Sequence, residues 1–201
     1  DDHLAVVHKI AGIPVSGNRF KTIENALPYN LTPSSSKDYL QAFRPVHRLD
    51  AATSGLLLVA KTLQSRVKLG EQFEEQQIKK HYQAIVIGKM EAKGVLEHPI
   101  GGKAAITHFE CFTVVSSLRN QHLSLLNLYP TTGRTHQLRI HLSEAGFPIF
   151  GDQLYGKEGE IFKGKGLMLA AVGVEFVHPI SGEELNFSLE TPTKFTSLLR
   201  R

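Results

Sequence analysis

The chain has 201 residues, 41% hydrophobic and 21% charged, which excludes disordered and fibrous classes and gives ample length for one core. No apolar run is long enough to span a bilayer, the opening Asp1-Asp2-His3 carries no basic segment followed by an apolar stretch, and the single cysteine, Cys111, cannot form an intramolecular disulfide. The formal net charge of +4 favours polyanionic partners without establishing one.

In chain order, residues 4–8 read as a short strand, and residues 12–17, with Pro14 between two glycines, as a turn-rich loop. Thr22 is placed to cap a short helix through Leu27. Residues 30–37, with Pro33 and three serines, are the clearest surface loop. Residues 44–54 show no strong period and lead into 56–61, an apolar run suited to a buried strand. Residues 62–79 carry the best helix pattern: Thr62 can cap it, and Leu63, Val67, Gly70, Phe73 and Glu74 fall near one face. Strands are expected over 82–87, 107–115, 123–128, 167–177 and 185–190. Between them, 135–145 reads as a short helix with Leu138, Leu142 and Ala145 on one side and Gly146 as its stop. Thr191-Pro192 supplies a cap and first-turn pair for a last helix. Strands outnumber helices and run in succession, so the expected class is α+β with a mainly antiparallel sheet, in one compact domain spanning 1–201.

Two segments concentrate chemistry. His47-Arg48-Leu49-Asp50 with Thr53-Ser54-Gly55 gathers two basic side chains, a carboxylate and two hydroxyls just before a buried strand. By composition alone, a polar turn in which Asp50 satisfies backbone N–H groups explains it better. Gly133-Arg134-Thr135-His136-Gln137-Leu138-Arg139-Ile140-His141 opens a helix with two arginines and two histidines. If Thr135 begins that helix, His136 and Arg139 share a face and can hold a carboxylate or a phosphate. A solvated basic face is the alternative. Lys79-Lys80-His81-Tyr82 puts a tyrosine at a strand start after a basic pair, by itself an ordinary half-buried aromatic. A zinc site is not expected: His136 and His141 stand about 140° apart on a helix, and one cysteine forms no thiolate cluster. The serine-hydrolase elbow and the phosphate-binding glycine loop are both missing.

Taken together and in order, the HRLD and TSG block, Lys80-His81-Tyr82-Gln83-Ala84 and the Gly133–His141 segment resemble the RluA-type pseudouridine synthases, along almost the whole chain. Val6-Val7-His8-Lys9, Ala11-Gly12, Gly146-Phe147-Pro148-Ile149, Gly151-Asp152 and His178-Pro179 extend the resemblance. One departure is Lys9-Ile10-Ala11-Gly12, where the family has Lys-Pro-x-Gly; this loop is expected to support the site and not to react.

The resemblance implies a curved, mainly antiparallel sheet flanked by helices and loops. It also implies a cofactor-free, metal-free enzyme that detaches uracil from its ribose in structured RNA, turns it and rejoins it through carbon. It assigns Asp50 as the catalytic carboxylate, Arg139 as its guanidinium partner and Tyr82 as the ring that stacks on the target base. His47, Arg48, Thr53, Arg134 and His136 are expected to position RNA and neighbouring loops, as is Ser54, with Arg48 filling the vacated stack or holding a phosphate. The expected partner is rRNA or tRNA, with no membrane, for a monomeric cytoplasmic protein. No S4-type domain is visible in this chain, and the absence of an initiator methionine leaves open a trimmed start. A catalytically silent RNA binder and a hydrolase using Asp50 differently are the competing classes.

Overall fold

The computed structural model describes residues 1–117, 121–157 and 164–200. In chain order these form β1 (Leu4–Lys9), α1 (Ile23–Ala26), a 3-10 turn (Leu27–Tyr29), β2 (Tyr39–Pro45), β3 (Ser54–Thr62), α2 (Leu63–Glu74), β4 (Lys79–Ile87), β5 (Lys93–Leu96), β6 (Thr107–Ser117), β7 (Gln121–Pro130), α3 (Gln137–Glu144), β8 (Leu169–Val177), β9 (Glu184–Ser188) and α4 (Thr193–Leu199). The α+β class is as expected. Packing divides the chain into two compact units, Asp1–Ile78 with Gly173–Ser188 and Lys79–Val172 with Leu189–Arg201.

In the first unit β3 pairs antiparallel with β1, from Leu4 opposite Ala60 to Lys9 opposite Gly55. It also pairs antiparallel with β2, whose register shifts between Tyr39 and Arg44. Leu57, Leu58, Val59 and Ala60 are all fully buried. That explains an apolar run without alternation, since both faces of this strand are covered. Phe43, Leu27 and Val59 form a small core packed with Val7, Ile23 and Leu31. Thr22 caps α1 by accepting the Asn25 N–H at 3.1 Å. The end of β8 pairs antiparallel with β9, Gly173 opposite Ser188.

Helix α2 starts where its cap predicts, with the Ser65 N–H donating to Thr62 Oγ1. It ends at Glu74, five residues before the expected 79. Gln76 adopts a left-handed conformation, with φ of 59°. The Gln76 N–H then bonds the Phe73 carbonyl at 3.2 Å, and the Gln77 N–H bonds the Gln72 carbonyl at 2.9 Å. This is a Schellman stop built without glycine, so no residue type announced it. The chain turns there directly into β4, which begins at Lys79 and not at Tyr82.

The second unit has β7 between β4 and β6, antiparallel to both, with β5 paired to β6. Its core brings together Ile85, Leu126, Leu128, Leu142, Ile149 and Phe195. Helix α4 begins one residue later than read from the sequence, with Pro192 as its N-cap and not in its first turn. No helix among the described residues is long and apolar enough to cross a membrane.

Candidate active site

In the first unit, the segment between β2 and β3 carries His47, Arg48, Asp50 and Thr53. His47 is an internal brace: its Nε2 accepts the Leu58 N–H at 3.0 Å, and its ring lies 4.9 Å from that of Phe73. Leu49 is buried at 5% exposure and Arg48, one position before it, faces solvent. Asp50 is half-buried, and its carbonyl accepts the Thr53 N–H at 3.0 Å, closing a tight turn. Thr53 is buried behind it.

That turn is tied to the end of β1. The Ala51 carbonyl accepts the Gly12 N–H at 2.7 Å and the Lys9 ammonium at 3.1 Å. Lys9 also donates to the carbonyls of Ile10 at 2.9 Å and Ile13 at 2.8 Å. Three donors meet three acceptors, which is how a lysine only 1% exposed is accommodated. Burial pushes its pKa down to about 8, and the negative charge of Asp50 pulls the other way. The loop that departs from the family pattern therefore keeps a cation beside Asp50.

In the second unit, Tyr82 sits in β4 opposite Leu128, half-buried against the core. Beside it Lys80 donates to the Thr132 carbonyl at 3.2 Å, and burial pushes its pKa down to about 8. Lys80 is thus held inward, while Lys79 beside it is exposed. His81 stacks on Tyr129 at 4.9 Å and contacts Asn127 Oδ1 at 3.0 Å.

The sequence expectation that Thr135 begins α3 is corrected. The helix begins at Gln137, and His136 precedes it in the left-handed conformation, with φ of 57°. His136 and Arg139 therefore do not share a helix face. They meet instead on Tyr155: His136 Nδ1 lies 2.9 Å from its hydroxyl, and the Arg139 guanidinium lies 5.0 Å from its ring centre. Arg139 is also held by Asp152, Nε to Oδ2 at 2.7 Å and Nη2 to Oδ1 at 2.8 Å. Burial alone would raise the Asp152 pKa, but Arg139 and the N–H groups of Leu154 and Tyr155 outweigh it, so the carboxyl titrates below its ordinary range. A guanidinium has five N–H donors, so this edge does not exhaust Arg139.

Gln137 fixes the turn before α3. Its Oε1 accepts the Thr132 hydroxyl at 2.7 Å and the Arg134 N–H at 3.0 Å, and its Nε2 donates to the Ile106 carbonyl at 2.9 Å. Arg134 itself is exposed and donates through Nε to the Ala104 carbonyl at 3.0 Å. His141, paired with His136 in the sequence argument, is a buried strut. Its Nε2 donates to the His98 carbonyl at 2.9 Å, leaving Nδ1 to accept the Thr107 hydroxyl at 3.0 Å. Sequence reasoning gave no role to Asp152, Tyr155 or Gln137. Gly151-Asp152 was visible as a fragment, but a carboxylate 13 positions from its arginine has no local spacing signal.

A family model described as RNA pseudouridylate synthase matches residues 3–144. The ribosomal large subunit pseudouridine synthase D of Nitrosomonas europaea is 35% identical over 224 residues, covering 100% of this chain and 63% of that protein. The chain thus spans less than two thirds of that relative's length. The dual-specificity RNA pseudouridine synthase RluA of Haemophilus influenzae is 35% identical over 208 residues, covering 95% of this chain and 90% of that protein. The solved structure of human RNA pseudouridylate synthase domain containing 4 has a TM-score of 0.75 at 26% identity, covering 100% of this chain and 90% of that one.

Proposed function

This chain belongs to the RluA-type RNA pseudouridylate synthase family, and from that membership we propose that it isomerises uridine to pseudouridine in structured RNA without a cofactor. The reading is carried by the matched span, which contains Asp50, Tyr82 and Arg139 together. In this reading the N-glycosidic bond breaks, the freed uracil turns, a C–C bond forms to the ribose, the new bonding carbon gives up its proton, and the ring nitrogen released from the ribose takes one up. The step is a net isomerisation and needs no oxidant or energy source.

Asp50 is the reacting carboxylate and must stay ionised and shielded from bulk water. Its half-buried turn, anchored by Lys9, supports that role. Arg139 supplies a planar cation that favours the ionised carboxylate, which lysine would not reproduce. The Tyr82 ring receives the flipped base, whose unstacking costs a few kcal/mol. Exposed Arg48 and Arg134 contact phosphates, while His47, Thr53 and His136 hold the loops that present them. Ribosomal or transfer RNA is the substrate, met by a monomer in the cytoplasm. The names of the two relatives bear on the substrate alone: one is a pseudouridine synthase of the large ribosomal subunit, and the other is dual in specificity.

The test is pseudouridine mapping by carbodiimide labelling. The protein is incubated with total RNA from a host lacking it, beside an Asp50→Asn control. New pseudouridine with the wild type alone is the expected result. An equally active Asp50→Asn protein, or an RNA-bound wild type that modifies nothing, would refute the reading.

A further inference from the structure

We propose that Asp152 and Tyr155 are positioning residues for Arg139, fixing the plane and direction of its guanidinium for the reaction. The proposal rests on the reading that Arg139 works in pseudouridine formation.

Two restraints converge on one group. Asp152 grips the Nε and Nη2 edge with both carboxylate oxygens, which fixes the guanidinium plane and its rotation within that plane. Tyr155 lies against the guanidinium, its ring centre 5.0 Å from Cζ, which opposes tilting. The two restraints are themselves restrained. Asp152 Oδ1 accepts the N–H groups of Leu154 at 2.9 Å and Tyr155 at 3.1 Å. The Tyr155 carbonyl accepts the Ser143 hydroxyl at 2.7 Å, which ties it to the same helix that carries Arg139. Its hydroxyl meets His136 Nδ1 at 2.9 Å. His136 reaches it from a left-handed backbone, a conformation that costs a non-glycine residue energy and is held where the surroundings require it.

Stability is a poor explanation for this arrangement. The ion pair is nearly dry, with side-chain exposures of 9% and 0%. Desolvating two charges cancels much of their attraction, and well-packed apolar side chains would hold the same space as firmly. What a buried bidentate pair supplies beyond packing is direction. A reacting carboxylate served by a misdirected cation loses rate without losing affinity for RNA, because phosphate contacts elsewhere carry binding.

The experiment compares Asp152→Asn, Tyr155→Phe and Tyr155→Leu with wild type in steady-state pseudouridine formation. Asp152→Asn is expected to lower kcat by about 100-fold with KM for RNA unchanged. Tyr155→Phe keeps the ring and should lose less than Tyr155→Leu. Added guanidinium ion should restore activity to Arg139→Ala but not to Arg139→Ala combined with Asp152→Asn, an outcome a merely structural Asp152 would not give. Equal rescue of both proteins, or wild-type kcat in folded Asp152→Asn, overturns the proposal. If Asp152→Asn does not fold, the tyrosine pair decides, and equal rates for Phe and Leu overturn it. A wild type that modifies no RNA removes the functional reading and this proposal together, a result distinct from an active wild type with an equally active Asp152→Asn.

Discussion

Lys9 shows how one residue can be plain in the sequence and still unread. Its position beside a short apolar strand marks it as a loop lysine, and nothing local tells that it will be 1% exposed beneath three carbonyls. Burial lowers its folded pKa to about 8 from 10.5, so the unfolded chain binds the extra proton between those values. Stability contributed by Lys9 therefore rises as pH climbs from about 8 toward 10.5. Urea unfolding should show the wild type gaining on Lys9→Met across that window, and a narrowing gap would contradict the burial argument. At this scale a family pattern names Asp50, Tyr82 and Arg139 as candidates, whereas no pattern pointed to Asp152 and Tyr155 as the partners of Arg139. Asp152 follows Gly151, where φ is +80° and an added Cβ would stand 2.0 Å from the Gly166 carbonyl oxygen. Gly151→Ala should destabilise by about 2–4 kcal/mol and shift Asp152, read as a lower Tm together with lost activity.

Elements announced by a cap or an unbroken apolar run were read well: β3, the start of α2 and the Thr22 cap of α1. Two elements that bury little, β2 and β5, were missed. Strand β2 buries only Phe43 and shifts register, so neither alternation nor an apolar run marks it. Strand β5 is four residues long and half exposed. The end of α2 lay hidden for another reason, its stop being a left-handed glutamine. That same last turn carries Gln72, whose side-chain amide acts as a piece of strand. Its Nε2 donates to the Val177 carbonyl at 2.9 Å, and its Oε1 accepts the Val177 N–H at 3.0 Å. Gln72→Ala should cost about 1 kcal/mol, because Val177 is 40% exposed and water can replace the lost partners in part. Gln72→Glu should cost more, since it points a carboxylate at a carbonyl. Denaturant midpoints of the two variants give the order directly, and Ala costing more than Glu would contradict the paired-amide account.

At the scale of the whole molecule, a formal charge of +4 said only that a polyanion was a plausible partner. The structure adds which cations are spent internally. Lys9 is committed to three carbonyls, Lys80 to the Thr132 carbonyl, Arg139 to Asp152, and Arg44 pairs with Glu24. Arg48 and Arg134 differ, both being exposed, with the Arg134 contact to Ala104 engaging one nitrogen of its fork. RNA affinity should therefore fall steeply with salt, and the slope should respond to particular residues and not to net charge in general. Each phosphate contact contributes about 0.7–0.9 to the slope of log affinity against log salt. Arg48→Ala and Arg134→Ala should each lessen that slope by about 1, uniformly across RNA sequences, with unfolding little changed. His47→Ala should do the reverse, leaving the slope alone and lowering stability, because His47 accepts a backbone N–H inside its own unit. Binding titrations at four or five salt concentrations separate the two behaviours. If neither arginine changes the slope, phosphate contact lies on other residues and the division into internal and outward-facing cations fails.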